Sequence, residues 1–306
     1  MDKITTIDLG SNSFRVLIYD CKNHKIIDEY NEVVGMADGL NTSGLISKEA
    51  QERVIKALKK SIEKLKYSPK DAICVTTAAM RMAKNNKEVL SYFKKEIGVE
   101  FKIIDGEEEA RLTLLAVKYA LKREKINSSN FVLLDIGGGS TEIIVNKDDS
   151  FYSKSFNFGI VTLTQKYLSK IDLLKQLDEY KIEINNFLAS LNFDLNTYTF
   201  VATAGTPTTI AAVKLGQDFF HYDKDKVNGT IVNLNDLKDC LKIFENSDEE
   251  TITKLVGKGR VEFIEVGIYI YRAIFEVLQK NESIVLDDGL REGVAVNYCL
   301  QNSLRQ

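Results

Sequence analysis

The sequence predicts an α/β protein made of two similar domains with a cleft between them. Its 306 residues are enough for about two domains at roughly 150 residues each. Apolar strand patterns alternate along the chain with amphipathic helix patterns, as in α/β proteins. A strand–turn–strand motif near the N-terminus recurs at mid-chain without a gap, and such internal repetition indicates a duplicated domain.

The first domain begins with the first copy of this motif. Alternating apolar residues from Lys3 to Tyr19 surround a turn at residues 10–13, which predicts two strands joined by a tight turn. A helix is predicted at about 47–66, where apolar residues recur every three or four positions, and Pro69 ends it. The later elements are a strand at 72–76, a helix at 87–97, a strand at 100–104 and a helix from its N-cap Asp105 to about Arg123.

The second domain begins with the second copy. Residues 131–146 repeat the order apolar strand, Asp, Gly, small polar turn, Ser, apolar strand. The polar segment 122–130 is the predicted junction, so we expect domains at 1–124 and 125–306. A long apolar helix is predicted at 261–278, and a C-terminal helix at about 292–306 is expected to pack back on the first domain.

The rarity of His and Cys excludes several kinds of site. The 2 His are far apart with no HExxH zinc motif, and the 4 Cys form no CxxC pair. Scattered thiols are typical of a reducing compartment, so we expect the Cys residues to be reduced and packed in apolar surroundings. These residues are His24, His221, Cys21, Cys74, Cys240 and Cys299.

Charge and hydropathy predict a cytoplasmic protein. The N-terminus shows no signal-peptide pattern, and no run approaches the roughly 18 apolar residues that span a bilayer. The formal net charge of −3 argues against a nucleic-acid-coating surface. A small polyanion held by a few focused Lys and Arg side chains remains compatible with that charge.

The two Gly-rich turns, residues 10–13 and 137–140, predict phosphate binding. Gly lets the backbone approach an anion closely, and consecutive N–H groups with Ser hydroxyls supply donors. A dinucleotide-binding GxGxxG motif would need Gly where the chain has Glu142, and no Walker A ending occurs. The alternative is an ordinary hairpin turn, which explains a single copy about as well as phosphate binding does. Two copies favour phosphate binding.

Four segments then carry a family resemblance. They are Asp8-Leu-Gly-Ser-Asn-Ser-Phe-Arg15, Thr76-Thr-Ala-Ala-Met-Arg81-Met-Ala-Lys-Asn85, Gly106-Glu-Glu-Glu109-Ala-Arg111-Leu and Asp135-Ile-Gly-Gly-Gly-Ser-Thr-Glu142. In this order and spacing they resemble the exopolyphosphatase / guanosine pentaphosphate phosphohydrolase family. The segments 202–206 and 287–293 extend the resemblance over nearly the whole chain.

The resemblance implies a fold and a reaction. The fold is a pair of ribonuclease-H-like domains with an interdomain cleft, as in the superfamily of actin, sugar kinases and heat-shock ATPases. The chain looks like a short form without the C-terminal helical domains of longer relatives. The implied reaction releases inorganic phosphate from polyphosphate or from guanosine pentaphosphate. A homodimer and Mg²⁺, or another divalent ion, are implied as well.

The resemblance also gives roles to four carboxylates. Glu109 is implied as the general base that accepts a proton from the attacking water, although complementarity to the helix dipole also explains acidic residues there. Glu142 is the second acidic group, orienting water or binding metal. Asp135 and Glu142 are the expected Mg²⁺ ligands, with Asp8 a weaker third. As plain structure, Glu142 would be a surface strand residue and Asp135 a turn-capping residue.

The expected phosphate ligands are backbone, hydroxyl and guanidinium groups. Arg81 lies among small and apolar residues, where a guanidinium without a ligand is hard to explain, and Arg15 follows the first turn. Arg111 could be an internal salt-bridge partner instead and is left unassigned, while Lys258 and Arg260 have no firm role. The other expected ligands are Gly10, Ser11, Asn12, Ser13, Gly137, Gly138, Gly139, Ser140, Thr141, Gly205 and Thr206.

Two other functions are compatible with these residues. One is an ATP-dependent small-molecule kinase of the same superfamily, although the segment 203–207 has one Gly fewer than the kinases' adenosine-binding turn. The other is a non-catalytic sensor that binds guanosine tetra- or pentaphosphate, against which Glu109 and Glu142 argue. The preference between polyphosphate and guanosine pentaphosphate stays open, as do chain-length preference and oligomeric state.

Overall fold

The computed structural model describes residues 3–167 and 169–303, which form two compact units. The first comprises the chain up to Val117 and from Asp288 onward, and the second is Lys118–Asp287. The division falls inside a helix, and not at the expected junction near residue 124. Residues 118–123 continue that helix without a break.

The first unit contains a five-stranded sheet in the order β3-β2-β1-β4-β5. Strands β1, β2 and β3 are antiparallel, and β4 and β5 continue parallel to β1. The strands are β1 Lys3–Leu9, β2 Ser13–Asp20, β3 Lys25–Val33, β4 Ile73–Thr76 and β5 Phe101–Ile103. The first five helices are α1 Leu40–Ser43, α2 Lys48–Leu65, α3 Ala78–Met82, α4 Asn86–Ile97 and α5 Gly106–Arg123.

The second unit contains a six-stranded sheet in the order β10-β11-β9-β6-β7-β8. The strands are β6 Phe131–Ile136, β7 Thr141–Lys147, β8 Ser150–Phe156, β9 Thr199–Thr203, β10 Thr230–Asn233 and β11 Glu282–Val285. The helices that follow are α6 Ile160–Lys166, α7 Lys170–Ser190, α8 Gly205–Lys214, α9 Lys224–Val227, α10 Leu234–Glu245, α11 Glu249–Val256, α12 Val261–Leu278 and, in the first unit, α13 Leu290–Ser303.

The predicted internal repeat is confirmed. Strands β1, β2, β3, β4 and β5 have the same order and directions as β6, β7, β8, β9 and β11, with β10 added at the second sheet's edge. Each Gly-rich turn closes with the same bond, Gly10 N–H to the Ser13 carbonyl and Gly137 N–H to the Ser140 carbonyl, both 2.9 Å. The predicted helices at 47–66, 87–97 and 261–278 are also confirmed.

Helix α13 packs closely against α5 within the first unit. A Cβ on Gly293 would lie 1.9 Å from the Leu112 carbonyl oxygen, so only glycine permits this approach. Leu290 and Val294 join Leu112 in an apolar cluster beneath β4 and β5. The C-terminal helix therefore supports the helix that carries Glu109.

A buried guanidinium attaches α13 to the sheet. Arg291 donates to Glu292 at 2.8 Å, Asn31 at 2.7 Å and Glu29 at 2.6 Å, while its carbonyl accepts from the Thr6 hydroxyl at 3.0 Å. Because a buried charge is costly unless it is paired and hydrogen-bonded, these partners are needed for the helix to dock.

The expectation of four reduced thiols is wrong for one pair. Cys21, just after β2, forms a disulfide with Cys299 of α13. The two positions are 278 residues apart, and only the docking of α13 brings them together. Cys74 and Cys240 are free and buried, as expected, and burial raises the pKa of both thiols to about 12.

The second unit has a large apolar core between its sheet and helices. Helix α12 contributes much of it, including the fully buried Tyr271 and Phe275, which pack edge-on against Phe200 of β9. Across residues 3–167 and 169–303, none of the helices combines the length and apolar character that a membrane crossing requires.

Candidate active site

The first Gly-rich turn is shaped by the segment that follows β3. The carbonyl of Asn12 accepts from the N–H groups of Val34 and Gly35 at 2.8 and 3.0 Å, and the carbonyl of Ser11 accepts from Ala37 at 2.8 Å. Among the described residues, no acceptor is found for the N–H groups of Ser11 and Asn12. Since backbone donors in a buried turn normally find partners, these two are suited to an anion.

Asp8 and Arg15 flank this turn. They lie directly opposite each other on β1 and β2, so their side chains leave the sheet on the same face. Arg15 is also opposite Asn31 on β3. Asp8 is buried, whereas Arg15 is half-buried and can reach a ligand near the turn.

Glu109 and Arg81 form an ion pair in the same unit. Arg81 Nη1 donates to Glu109 Oε2 at 2.7 Å and to the Ile104 carbonyl at 2.9 Å. Helix α5 begins as predicted, with the Glu108 N–H donating to Asp105 Oδ1 at 2.8 Å, and this cap fixes where Glu109 emerges. The carboxylate is therefore buried, oriented and charge-compensated.

Arg111 has a different partner. Its Nε and Nη2 donate to Glu108 at 2.7 and 2.9 Å, and its Nη1 and Nη2 both lie 3.2 Å from Asn297 Oδ1 on α13. This bidentate pair lowers the pKa of Glu108 and raises that of Arg111. The salt-bridge role considered for Arg111 is confirmed.

The second Gly-rich turn is held by the start of α6. The carbonyl of Gly137 accepts from Ile160, and that of Gly138 accepts from Val161 and Thr162, at 2.9–3.3 Å. A Cβ on Gly159 would lie only 2.5–2.6 Å from the Gly137 and Gly138 backbone. This contact requires glycine at position 159 and fixes the turn against the helix.

A polar row crosses the sheet beside this turn. Asp135 lies opposite Thr203 on β9 and opposite Glu142 on β7, and Glu142 lies opposite Ser155 on β8. Residues opposite each other share a face of the sheet, so the two carboxylates are near neighbours. The Ser155 hydroxyl donates to Glu142 Oε1 at 2.7 Å. Glu142 is only 1% exposed, so it is not the surface strand residue considered from sequence.

The donor set of this row fits a magnesium ion. Mg²⁺ takes one or two carboxylates and keeps waters or substrate phosphates as its other ligands. Asp135 and Glu142 supply two carboxylates on one face. Within the described residues, no group of three or more His, Cys, Asp or Glu side chains able to hold a metal ion is found. The sheet register therefore brings together two candidate metal ligands here, Asp135 and Glu142.

Gly205 and Thr206 begin helix α8. Thr206 is buried against α12, where a Cβ on Gly267 would lie 2.2 Å from the Thr206 hydroxyl oxygen. The preceding Ala204 has φ 75° and ψ −175°, a backbone conformation that residues other than glycine rarely adopt. The strained residue turns the chain sharply from β9 into α8.

Comparison with known proteins decides the family. The sequence model of the Ppx/GppA phosphatase family matches residues 17–302. The chain belongs to the Ppx/GppA phosphatase family. The family resemblance inferred from the four motifs is thereby confirmed, and so is the fold class of two ribonuclease-H-like domains.

Three relatives illustrate the similarity to other Ppx/GppA proteins. The chain is 30% identical to the crystallised family member from Aquifex aeolicus, with a TM-score of 0.74 and 98% of each chain covered. It is 29% identical over 313 residues to a Haemophilus influenzae protein provisionally named an exopolyphosphatase, covering 99% of this chain and 93% of that protein. It is 28% identical to the guanosine-5′-triphosphate,3′-diphosphate pyrophosphatase of Pseudoalteromonas atlantica, covering 94% of this chain and 57% of the relative.

The chain spans about half the length of several curated relatives that it matches, between 44% and 57%. The family match, at residues 17–302, includes the second repeat and three of the four motif segments, and the first segment, residues 8–15, lies just before it.

Sequence reasoning missed three residues of this Ppx/GppA site. Ser155 bonds Glu142, Gly159 admits α6 to the second turn, and Arg53 holds the segment behind the first turn. The Gly159 position had only a weak signal, a glycine between two apolar residues downstream of the predicted repeat. Ser155 and Arg53 had none, because their partners are set by strand register and by helix docking.

The basic segment before α12 contacts an aromatic ring. The Arg260 guanidinium lies 5.9 Å from the centroid of the Phe219 ring, in a cation–π contact. Lys258 lies in the same exposed turn, and no role is assigned to it.

Proposed function

We propose that this chain hydrolyses a terminal phosphoanhydride and releases inorganic phosphate from polyphosphate or from guanosine pentaphosphate. The observation that carries the proposal is the buried Glu109 carboxylate, oriented at 2.7 Å by Arg81 at the start of α5. Membership of the phosphatase family and the names of the Pseudoalteromonas and Haemophilus relatives support the same reaction.

The chemistry needs few groups. Phosphoryl transfer to water requires positioning, charge compensation and a group that takes the water proton. Glu109 takes that proton, and Arg81 holds the carboxylate in one orientation while its other donors face phosphate oxygens. Within its own unit, each Gly-rich turn offers N–H donors to phosphate oxygens, with Arg15 beside the turn at 10–13 and Ser140 and Thr141 at the turn at 137–140. Gly205 and Thr206, at the start of α8, are further phosphate-binding candidates.

Asp135 and Glu142 are the residues that hold Mg²⁺, with Asp8 the weaker third candidate. When bound, the ion neutralises part of the charge on the phosphate oxygens. Ser155 restrains the Glu142 carboxylate by donating its hydroxyl hydrogen bond to Oε1 at 2.7 Å. Removal of Mg²⁺ with EDTA should abolish phosphate release, and added Mg²⁺ should restore it.

The decisive experiment compares two neighbouring glutamates. Glu109→Gln should slow phosphate release by about 10²- to 10⁴-fold while polyphosphate binding persists, because a neutral amide cannot accept the water proton. Glu107→Gln removes the same charge from the same helix turn, at an exposed position, and should leave turnover within about twofold. Malachite-green assays on polyphosphate of defined length and on guanosine pentaphosphate measure both.

Three outcomes would argue against the proposal. Unchanged turnover in Glu109→Gln would remove Glu109 from the base role. Binding of guanosine pentaphosphate without phosphate release by the unmodified chain would indicate the sensor function. ADP-producing transfer from ATP to a small molecule would indicate the kinase function. Side-by-side kinetics on the two substrates decide which is preferred.

A further inference from the structure

The segment behind the first Gly-rich turn is itself held by a side chain from α2. We call Val34–Asp38 the brace loop. Arg53 Nε donates to the Val34 carbonyl at 2.6 Å, and its Nη2 donates to the Gly35 carbonyl at 2.9 Å and to Asp38 Oδ2 at 2.6 Å. One guanidinium therefore joins three acceptors of the brace loop and attaches them to α2.

The brace loop is shaped to receive this guanidinium. Gly35 has φ 55°, in the left-handed region, and a Cβ there would lie 2.3 Å from Asp38 Oδ2. A side chain at position 35 would thus displace the Asp38 carboxylate from Arg53. The Asp38 N–H closes the loop by donating to the Gly35 carbonyl at 3.1 Å.

The orientation of the brace loop sets the orientation of the turn. The carbonyl of Ser11 and the N–H of Asn12 belong to one planar trans peptide and point in opposite directions. Because the Ser11 carbonyl points to Ala37 of the brace loop, the Asn12 N–H points to the other side. The same reasoning directs the Ser13 N–H away from Val34 and Gly35, which bind the Asn12 carbonyl.

The second repeat reaches the same result by different means. There the Gly138 carbonyl accepts from Val161 and Thr162 of α6, so the Gly139 N–H points away from that helix. Asn12 and Gly139 are equivalent positions of the repeat. Both turns therefore present this N–H on the side opposite their support, and the first support is attached to a separate helix by the Arg53 guanidinium.

We propose that Arg53 is a positioning residue for the first Gly-rich turn: by clamping the brace loop, it fixes the direction of the N–H groups that bind substrate phosphate. This inference rests on the proposed phosphate-binding function of that turn. Arg53 acts through the brace loop, and none of its hydrogen bonds involves a residue of the turn itself. Its loss should therefore weaken phosphate binding and leave the proton-transfer step at Glu109 intact.

The test measures binding and kinetics separately. Arg53→Ala should raise the Kd for inorganic tripolyphosphate, measured calorimetrically, and the KM for polyphosphate by about tenfold, with kcat within about twofold. A tenfold change corresponds to about 1.4 kcal/mol at 25 °C. Arg53→Lys keeps the charge but offers a single donor group, so it should rescue the affinity only partly.

A matched control comes from α12. The Arg272 side chain is 52% exposed and pairs with Glu276 at 3.0 Å. It is comparable to the Arg53 side chain, which is 41% exposed and pairs with Asp38. Arg272→Ala removes a comparable surface ion pair away from the brace loop and should change neither Kd nor KM. Thermal unfolding of all variants shows whether a kinetic change merely follows a loss of stability.

The results separate this inference from the proposed function. If the unmodified chain hydrolyses polyphosphate while Arg53→Ala and Arg53→Lys keep its KM and Kd, the positioning role is overturned and the function stands. If the unmodified chain binds tripolyphosphate without hydrolysing it, and Arg53→Ala binds it about tenfold more weakly, the positioning role stands and the hydrolase proposal fails. If it neither binds nor hydrolyses, both are overturned.

Discussion

Gly159 offers the sharpest test of how α6 positions the second Gly-rich turn. Its φ of −151° is ordinary extended backbone, so alanine introduces no dihedral strain there. The whole effect of Gly159→Ala is steric. The new methyl group would lie 2.5 Å from the Gly137 carbonyl oxygen and 2.6 Å from the carbonyl group of Gly138.

The size of the effect follows from those distances. A relaxed contact needs about 3.4 Å or more, so turn and helix must separate by about 1 Å, and the contacted atoms are backbone that no rotamer change can move. Overpacking of this kind costs about 1–3 kcal/mol of stability. A displacement of about 1 Å in a positioning element can lower kcat/KM by about 10²-fold.

The assay pairs Gly159→Ala with Gly98→Ala. Gly98 ends α4 with φ 79°, a left-handed conformation in which alanine costs about 1–2 kcal/mol of stability. A Cβ at position 98 would cause no clash, because it would meet only the Lys70 side chain, at 4.0 Å. Chemical denaturation should show comparable destabilisation of both variants, and polyphosphate hydrolysis should fall in Gly159→Ala alone. Equal kinetics in the two variants would refute the link between α6 and the turn. Full stability of Gly159→Ala would refute the steric argument.

Three further predictions concern the first unit. Reduction of the Cys21–Cys299 disulfide with dithiothreitol should lower the free energy of unfolding by up to about 5 kcal/mol, because it releases a loop of 278 residues, and Ellman titration of the denatured chain should rise from two thiols to four. Arg291→Met should cost about 3–5 kcal/mol in urea denaturation, because it leaves the buried Glu292 carboxylate without its guanidinium partner, whereas Arg272→Met, at an exposed pair, should cost less than about 1 kcal/mol. Burial raises the pKa of Tyr67 to about 12, so the folded chain binds the phenol proton more tightly than the unfolded chain does. The resulting stabilisation of the folded state is complete below pH 10 and is lost as the pH rises through about 12. Tyr67→Phe should therefore reduce the loss of stability that alkaline unfolding curves show.

Much of the fold followed from local pattern. The hairpins of both repeats, the helices α2, α4, α5 and α12, and the cap at Asp105 were all predictable, because periodicity and capping depend on residues within a few positions of one another. The candidate carboxylates were found in the same way, as members of short motifs. Asp135 and Glu142 share a face because the turn between them sets the hairpin register.

Other features depend on contacts between distant segments. The partner of Arg81 was not predictable, since α3 and α5 meet only through their packing on the sheet, and the ion pair with Glu109 links residues 28 apart. The wrong expectation for Cys21 and Cys299 has the same cause, as does the absence of any sequence signal for Ser155 and Arg53. Contacts to backbone carbonyls and the register of a sheet cannot be recognised from the types of side chain in the sequence.

In the sequence, neighbouring residues already specify the duplicated α/β architecture and the types of group available for phosphate chemistry, because repeats, periodicities and motifs are local features. The direction in which those groups face depends on tertiary contacts. The N–H groups of both turns are directed by supports from other segments, Val34–Asp38 with Arg53 in one case and the start of α6 in the other. The physical reason is the rigidity of the peptide plane: once a distant segment binds a carbonyl, the direction of the next N–H is fixed.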